Sequence, residues 1–196
     1  MKPLRIGIAG THSTGKTTFC NLAVKALTEK GLRVARVKSF GSDAVNAHIK
    51  MLRDHDEDST LWFITRTISA EIEASVDADV VLIDRPVPDA LGYWMAALEY
   101  RSESPNSAEK AMIENLVKEY TSTYSLLLAT VLDTSIPLGE GRDNDLVFRQ
   151  LAAKNILATL RHMGTPFIPL EPKNVNSAVE QIVSMALNRG LGEIVC

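Results

Sequence analysis

Cysteine is almost missing from this chain. Cys20 and Cys196 are the only two in 196 residues, which gives neither a disulfide framework nor the ligand spacing of a structural zinc site. A reducing, cytoplasmic setting is the expectation. No apolar run reaches membrane-spanning length, and Met1-Lys2-Pro3 passes directly into an apolar segment, so neither a membrane anchor nor a cleavable leader is expected. Dense basic blocks are absent too. With a formal net charge of −3 the electrostatic footprint of a general nucleic-acid binder is missing, and nucleic acid is not an expected partner. Internal repeats, low-complexity tracts and linkers are not found. What remains, 45% hydrophobic and 23% charged residues, is the composition of one soluble globular domain over 1–196.

Against that plain background one stretch is specific. Gly10-Thr11-His12-Ser13-Thr14-Gly15-Lys16-Thr17, followed by Thr18, satisfies G-x-x-x-x-G-K-[ST] in full. Glycines stand where backbone must curl tightly and let a phosphate approach its N–H groups. Lys16 is expected to reach the β- and γ-phosphates of ATP, Thr17 to offer its hydroxyl to Mg²⁺, and the following helix to aim its positive dipole end at the same anion. A glycine-rich turn that binds nothing is the competing reading. Context speaks against it: Leu4, Ile6, Ile8 and Ala9 form a buried-strand run before the loop, and Phe19, Leu22, Ala23, Ala26 and Leu27 fall at helical spacing behind it.

Leu32 to Val37 reads as a second strand, with Lys38 to Asp43 as the loop at its C-terminal end. In an open parallel sheet that edge faces the ligand crevice, which makes Asp43 a candidate substrate contact, although a helix N-cap is the commoner job for such an Asp. The charged run Arg53 to Thr60, His55 included, reads as a solvated loop ending in a helix cap rather than a metal site, because no second His or Cys stands at ligand spacing. A helix is expected from 61 to 77, with Trp62, Ile64, Ile68, Ile72 and Val76 inward. Arg66, Glu71 and Glu73 fall on or near its solvated side, Arg66 being carried as a further candidate substrate contact.

Ala78 to Asp84 is an apolar strand closed by an acid, Walker-B-like in form, so Asp84 joins Thr17 as a candidate Mg²⁺ ligand. Arg85 beside it adds a permanently charged fork suited to an acceptor or to a phosphoryl group in transit. Asp89 and Tyr93 follow on a helix and are candidates for the acceptor pocket. Helix 108–120 and a fourth strand, 124–132, come next. The polar, glycine-containing segment 134–149 is read as a lid in which Arg142 and Arg149 neutralise charge on the transferring group. A surface loop with Arg149 paired to Asp145 is the alternative. Helix 146–163, a proline-bearing edge strand at 166–170 and helix 177–189 complete the chain.

The phosphate loop, the Asp84-Arg85 pair with Asp89 and Tyr93, and Gly141-Arg142 leading to Arg149 together resemble the P-loop nucleoside and nucleotide kinases. The nearest likeness is to small kinase-like AAA-type ATPases related to ribosylnicotinamide kinase domains. The spacing from Asp-Arg to Tyr93 is also similar to thymidylate kinases, which carry Ser where this chain has Asp89. The resemblance implies an α/β, three-layer P-loop NTPase fold, with a five-stranded parallel sheet expected in the order 2-3-1-4-5. It further implies ATP-dependent, Mg²⁺-assisted transfer of the γ-phosphate to a small nucleoside, nucleotide or related metabolite. In such enzymes the Asp-Arg pair contacts acceptor and transferred phosphate while lid arginines close over the donor. Deoxynucleoside kinases place a catalytic Glu after the second strand, where this chain has only Asp43; Asp84 is therefore the first candidate base and Asp43 the second. A regulatory switch ATPase with a protein partner is the rival reading, and homodimer formation is left open.

Overall fold

The computed structural model describes residues 2–134, 138 and 143–191. Its centre is a parallel sheet of β1 (Leu4–Ala9), β2 (Val34–Val37), β3 (Val80–Asp84), β4 (Leu126–Thr130) and β5 (Ile168–Leu170). The strands lie in the order β2-β3-β1-β4-β5, as the sequence reading expects, and every adjacent pair is parallel. Leu4, Ile6, Ile8 and Val80 to Ile83 are fully or almost fully buried, which is why these strands are continuous apolar runs rather than alternating ones. Register sets the geometry of the site: Ile8 stands opposite Asp84, and Ala9 opposite Ala129, so three strands end at one edge.

Helices cover both faces. α1 (Lys16–Thr28) and α7 (Val175–Leu191) close one side, with Phe19, Leu27 and Ile182 packed on Ile6, Ile8 and Leu128. The opposite side carries α3 (Glu57–Ala74), α4 (Val87–Arg101), α5 (Ser107–Thr121) and α6 (Leu146–His162). A short α2 (Gly41–Asn46) and a 3₁₀ turn at Leu52–Asp54 lie between β2 and α3. The α4–α6 seam is tight because Gly92 has no side chain. A Cβ there would stand 2.6, 2.7 and 2.9 Å from Ile156 Cγ1, Cα and N. No helix among the described residues is long and apolar enough to cross a membrane.

Two local expectations change. The charged run does end in a cap, but the helix starts earlier than residue 61: Asp56 accepts from Ser59 N at 3.0 Å while Ser59 Oγ accepts from Asp56 N at 2.8 Å, a capping box that opens α3 at Glu57. The buried side of α3 is also rotated. Ile64, Thr67 and Glu71 face inward, whereas Ile72 and Val76 are 55% and 76% exposed. Glu71 is therefore not on a solvated face. Polar partners on α5 and before β4 occupy the space opposite it and require an acceptor there.

Candidate active site

The phosphate loop joins β1 to α1. Gly10 takes φ +135°, and any Cβ there would collide with the Thr130 hydroxyl. Gly15 takes φ +83° as the cap of α1, so the glycine positions answer a backbone need. Thr14 Oγ1 donates to Thr11 O at 2.9 Å and lies 2.6 Å from Thr130 Oγ1, tying the loop to the end of β4. From below, the buried Arg149 donates through Nε to His12 O at 3.3 Å and through Nη2 to Ser13 O at 2.9 Å. Its side chain does not pair with Asp145, which caps α6 through Phe148 N at 2.9 Å and pairs with Arg53 at 3.0 Å.

Lys16 is buried, with its ammonium on the Thr11 carbonyl. Burial, reinforced by the positive charge of Arg85, pulls it down to about 7; Asp89 and Asp84 act in the other direction. His12 reaches Asp143 O at 3.2 Å. Burial first, then Arg85, holds its ring down at about 4, so it is neutral at physiological pH.

Facing the loop is the Asp84-Arg85-Pro86 turn at the tip of β3. Thr17 Oγ1 donates to Asp84 Oδ2 at 3.1 Å, and Arg36 Nη2 reaches the same oxygen at 3.3 Å. Arg85 takes φ +75°, a left-handed conformation that costs on the order of 1–3 kcal/mol for a residue with a bulky side chain and persists where neighbours over-determine it. They do so here: Arg85 N donates to Ile8 O at 3.2 Å, and Nη1 donates to Gly10 O at 3.2 Å and to Tyr93 Oη at 2.9 Å. The guanidinium also lies over the Tyr93 ring, 4.9 Å from its centre. Asp89 accepts from Gly10 N at 3.1 Å and stands 3.8 Å from Arg85. Burial pushes its carboxyl up to about 7 against the pull of Arg85 and Lys16.

Beyond Arg85 opens a cavity of about 380 Å³ lined by aromatic groups, Phe40, Phe63 and Tyr93, together with Asp89, Arg85 and His55. His55 is buried and stacked on Phe63 at 5.5 Å, and its Nε2 has no hydrogen-bond partner among the described residues. Burial brings that ring down to about 4.

Lys16, Thr17, Asp84, Arg85, Asp89 and Tyr93 thus come together around one cleft. Asp43 and Arg66 do not join them. They pair with each other at 3.9 Å, about half exposed, with Arg66 against the rings of Phe40 and Trp62. Asp43 lies inside α2, whose cap is Phe40, so the N-cap reading does not hold. Arg142, with Gly139 and Gly141, lies outside the described residues. The sequence reading missed Arg36, His55 and the pairing of Arg53 with Asp143 and Asp145. Only Arg36 left a signal, as a charge inside an otherwise apolar strand.

Among the described residues no group of three or more His, Cys, Asp and Glu could hold a metal. The donor set at the loop is one hydroxyl, Thr17, and one carboxylate, Asp84, with their oxygens 3.1 Å apart. That sparse, all-oxygen set fits Mg²⁺ shared with nucleotide phosphates and water rather than an all-protein cage.

A family model described as an AAA domain matches residues 5–177. No curated protein matches the chain. Among solved structures, the NadR protein in complex with NR superposes with a TM-score of 0.68 at 14% identity, covering 92% of this chain but 50% of NadR. The chain thus spans about half the length of that protein. Deoxyadenosine kinase from M. mycoides with bound dATP superposes with a TM-score of 0.61 at 13% identity, covering 95% of this chain and 98% of the kinase. At such identities the likeness is one of fold, a P-loop nucleoside-kinase-like fold.

Proposed function

This chain belongs to the AAA-domain family matched over residues 5–177, and from that premise we propose that it is an ATP-dependent phosphotransferase acting on the hydroxyl of a small nucleoside-like metabolite. One observation carries the reading. The phosphate loop and a cavity of about 380 Å³ meet at Arg85, Asp89 and Tyr93, and a volume of that order suits a small-molecule site. Among the described residues Arg85 is the sole Lys or Arg lining the cavity, and both lining histidines are held neutral. That balance supports an acceptor without a phosphate of its own, since a monophosphate would call for further cationic contacts.

Lys16 and the loop N–H groups hold the donor phosphates, and Arg85 stabilises charge on the group in transit. Bound Mg²⁺, held by Thr17 and Asp84, would neutralise phosphate charge. Arg142 keeps its proposed part in closing over the donor, whereas Arg149, buried and bonded to the carbonyls of His12 and Ser13, acts by supporting the phosphate loop. For the proton of the attacking hydroxyl, Asp89 is the best placed acid. It lines the cavity, whereas Asp84 faces Thr17 and Arg36, and Asp43 points to α3. A carboxyl raised to about 7 suits a base working near neutral pH.

The test is ADP release from Mg-ATP with and without a panel of nucleosides and their monophosphates. Stimulation by one unphosphorylated compound, lost in Lys16→Ala and strongly reduced in Asp89→Asn, is the expected result. A slow background that depends on Lys16 and is stimulated by none of them would favour the regulatory ATPase with a protein partner.

A further inference from the structure

Behind the catalytic turn, away from the nucleotide, lies a buried relay that phosphate chemistry does not use. Glu71, on α3, is fully buried. Its Oε1 accepts from Tyr124 Oη at 2.7 Å and its Oε2 from Tyr120 Oη at 3.1 Å. Arg5, on β1, donates to Tyr120 Oη at 3.3 Å and to Ser75 Oγ at 3.2 Å, while Ser75 Oγ donates to the Glu71 carbonyl at 2.6 Å. The last link faces the site. Tyr124 Oη accepts the backbone N–H of Val87 at 3.1 Å.

Val87 is the first residue of α4, two positions after Arg85. Its N–H belongs to the set that a helix cannot satisfy internally, and Pro88 beside it has none. The cap, Pro86, offers no side-chain hydrogen bond. The left-handed turn at Arg85 is therefore pinned from two directions, by Ile8 O on the Arg85 N–H and by Tyr124 Oη on the Val87 N–H. The phenol's own buried proton must also be satisfied, and Glu71 is its acceptor. The carboxylate keeps Tyr124 oriented with a lone pair toward Val87.

We infer that Glu71 and Tyr124 are positioning residues for the phosphoryl-transfer site: their hydrogen-bonded relay fixes the start of α4 and so holds Arg85 and Asp89 in register with the phosphate loop. The relay rests on the kinase reading for its consequence in turnover, though not for its effect on the backbone. Tyr120 supplies the internal comparison. Its hydroxyl donates to the same carboxylate, in the same buried cluster, but makes no bond to Val87.

Three variants separate the roles: Tyr124→Phe, Glu71→Gln and Tyr120→Phe. Hydrogen exchange is measured over residues 85–93 alongside kcat and KM for Mg-ATP. Tyr124→Phe should speed exchange at Val87 and lower kcat by about tenfold with KM for ATP changed less than about twofold. Glu71→Gln, which keeps an acceptor for one of the two phenols, should retain more of kcat than Tyr124→Phe. Tyr120→Phe should leave exchange over 85–93 near wild type and kcat within about twofold. Equal exchange and equal kcat in the two Tyr variants would overturn the relay, because a merely structural cluster would not distinguish them. Should wild type show no acceptor-dependent transfer, the kinase reading fails, and exchange at Val87 still decides the relay.

Discussion

Arg149→Ala separates two jobs that one arginine could hold. In the structure its guanidinium sits under the phosphate loop and donates to the carbonyls of His12 and Ser13 at 3.3 and 2.9 Å. Each is a hydrogen bond from a charged donor, worth about 1.5–3 kcal/mol. Removing both leaves two partly buried carbonyls without a partner and a void where the side chain was. Allowing for relaxation, the cost should be about 3–4 kcal/mol, which for a domain of this size lowers Tm by about 10 °C. If about half of that energy is spent populating a misplaced loop, ATP affinity should fall by about 20-fold. Thermal unfolding and titration calorimetry with Mg-ATP read the two effects. Arg149→Lys, with one point charge in place of a fork, should fall between wild type and Ala. The reasoning is refuted if Tm and ATP affinity stay near wild type while kcat collapses by about 100-fold or more; that pattern belongs to an arginine acting on the transferring group.

Two other outcomes are expected. Lys16 is held down at about 7, and an arriving polyphosphate favours its protonated form. Nucleotide binding at pH 8 should therefore take up protons, and affinity should fall as pH rises above about 7; calorimetry in buffers of different ionisation heat reads the uptake, and buffer-independent heats would contradict it. Gly92→Ala places a methyl within 2.6–2.9 Å of Ile156, so α4 and α6 must separate at a cost of about 1–3 kcal/mol. Because these two helices carry Asp89 and Arg149, ATP affinity should drop together with Tm, and a loss confined to Tm would show that the seam does not govern the site.

The phosphate loop was legible because its fixed positions answer needs that any P-loop has: glycine at the positive φ of residues 10 and 15, Lys16 and Thr17 at the helix start. A parallel sheet was legible through the alternation of apolar strands and helices, and its order through the resemblance to P-loop kinases. Glu71 was not. Counting apolar residues turned Ile72 and Val76 inward, whereas the partners that select the buried face of α3 are the hydroxyls of Tyr120 and Tyr124, 49 and 53 residues away. Arg149 could be assigned to the right helix but not to its side, since spacing along a helix says nothing about what the neighbouring loop presents. His55 sat inside a charged run that reads as solvent-facing. Its burial depends on Arg101, whose guanidinium gathers the carbonyls of Arg53 and His55 from the far end of α4.

The cavity has walls of unequal stiffness. Its roof is the tip of β3 and the start of α4, where Arg85, Pro86 and Asp89 are locked to β1 and the phosphate loop. Its floor is the stretch between β2 and α3, where Ser39, Val45 and Met51 are only partly covered. Substitutions that reshape the cavity are accordingly cheap on the floor and ruinous on the roof. Diversification of this scaffold, by drift or by a laboratory library, has its freedom at the more exposed floor positions such as Ser39 and Val45.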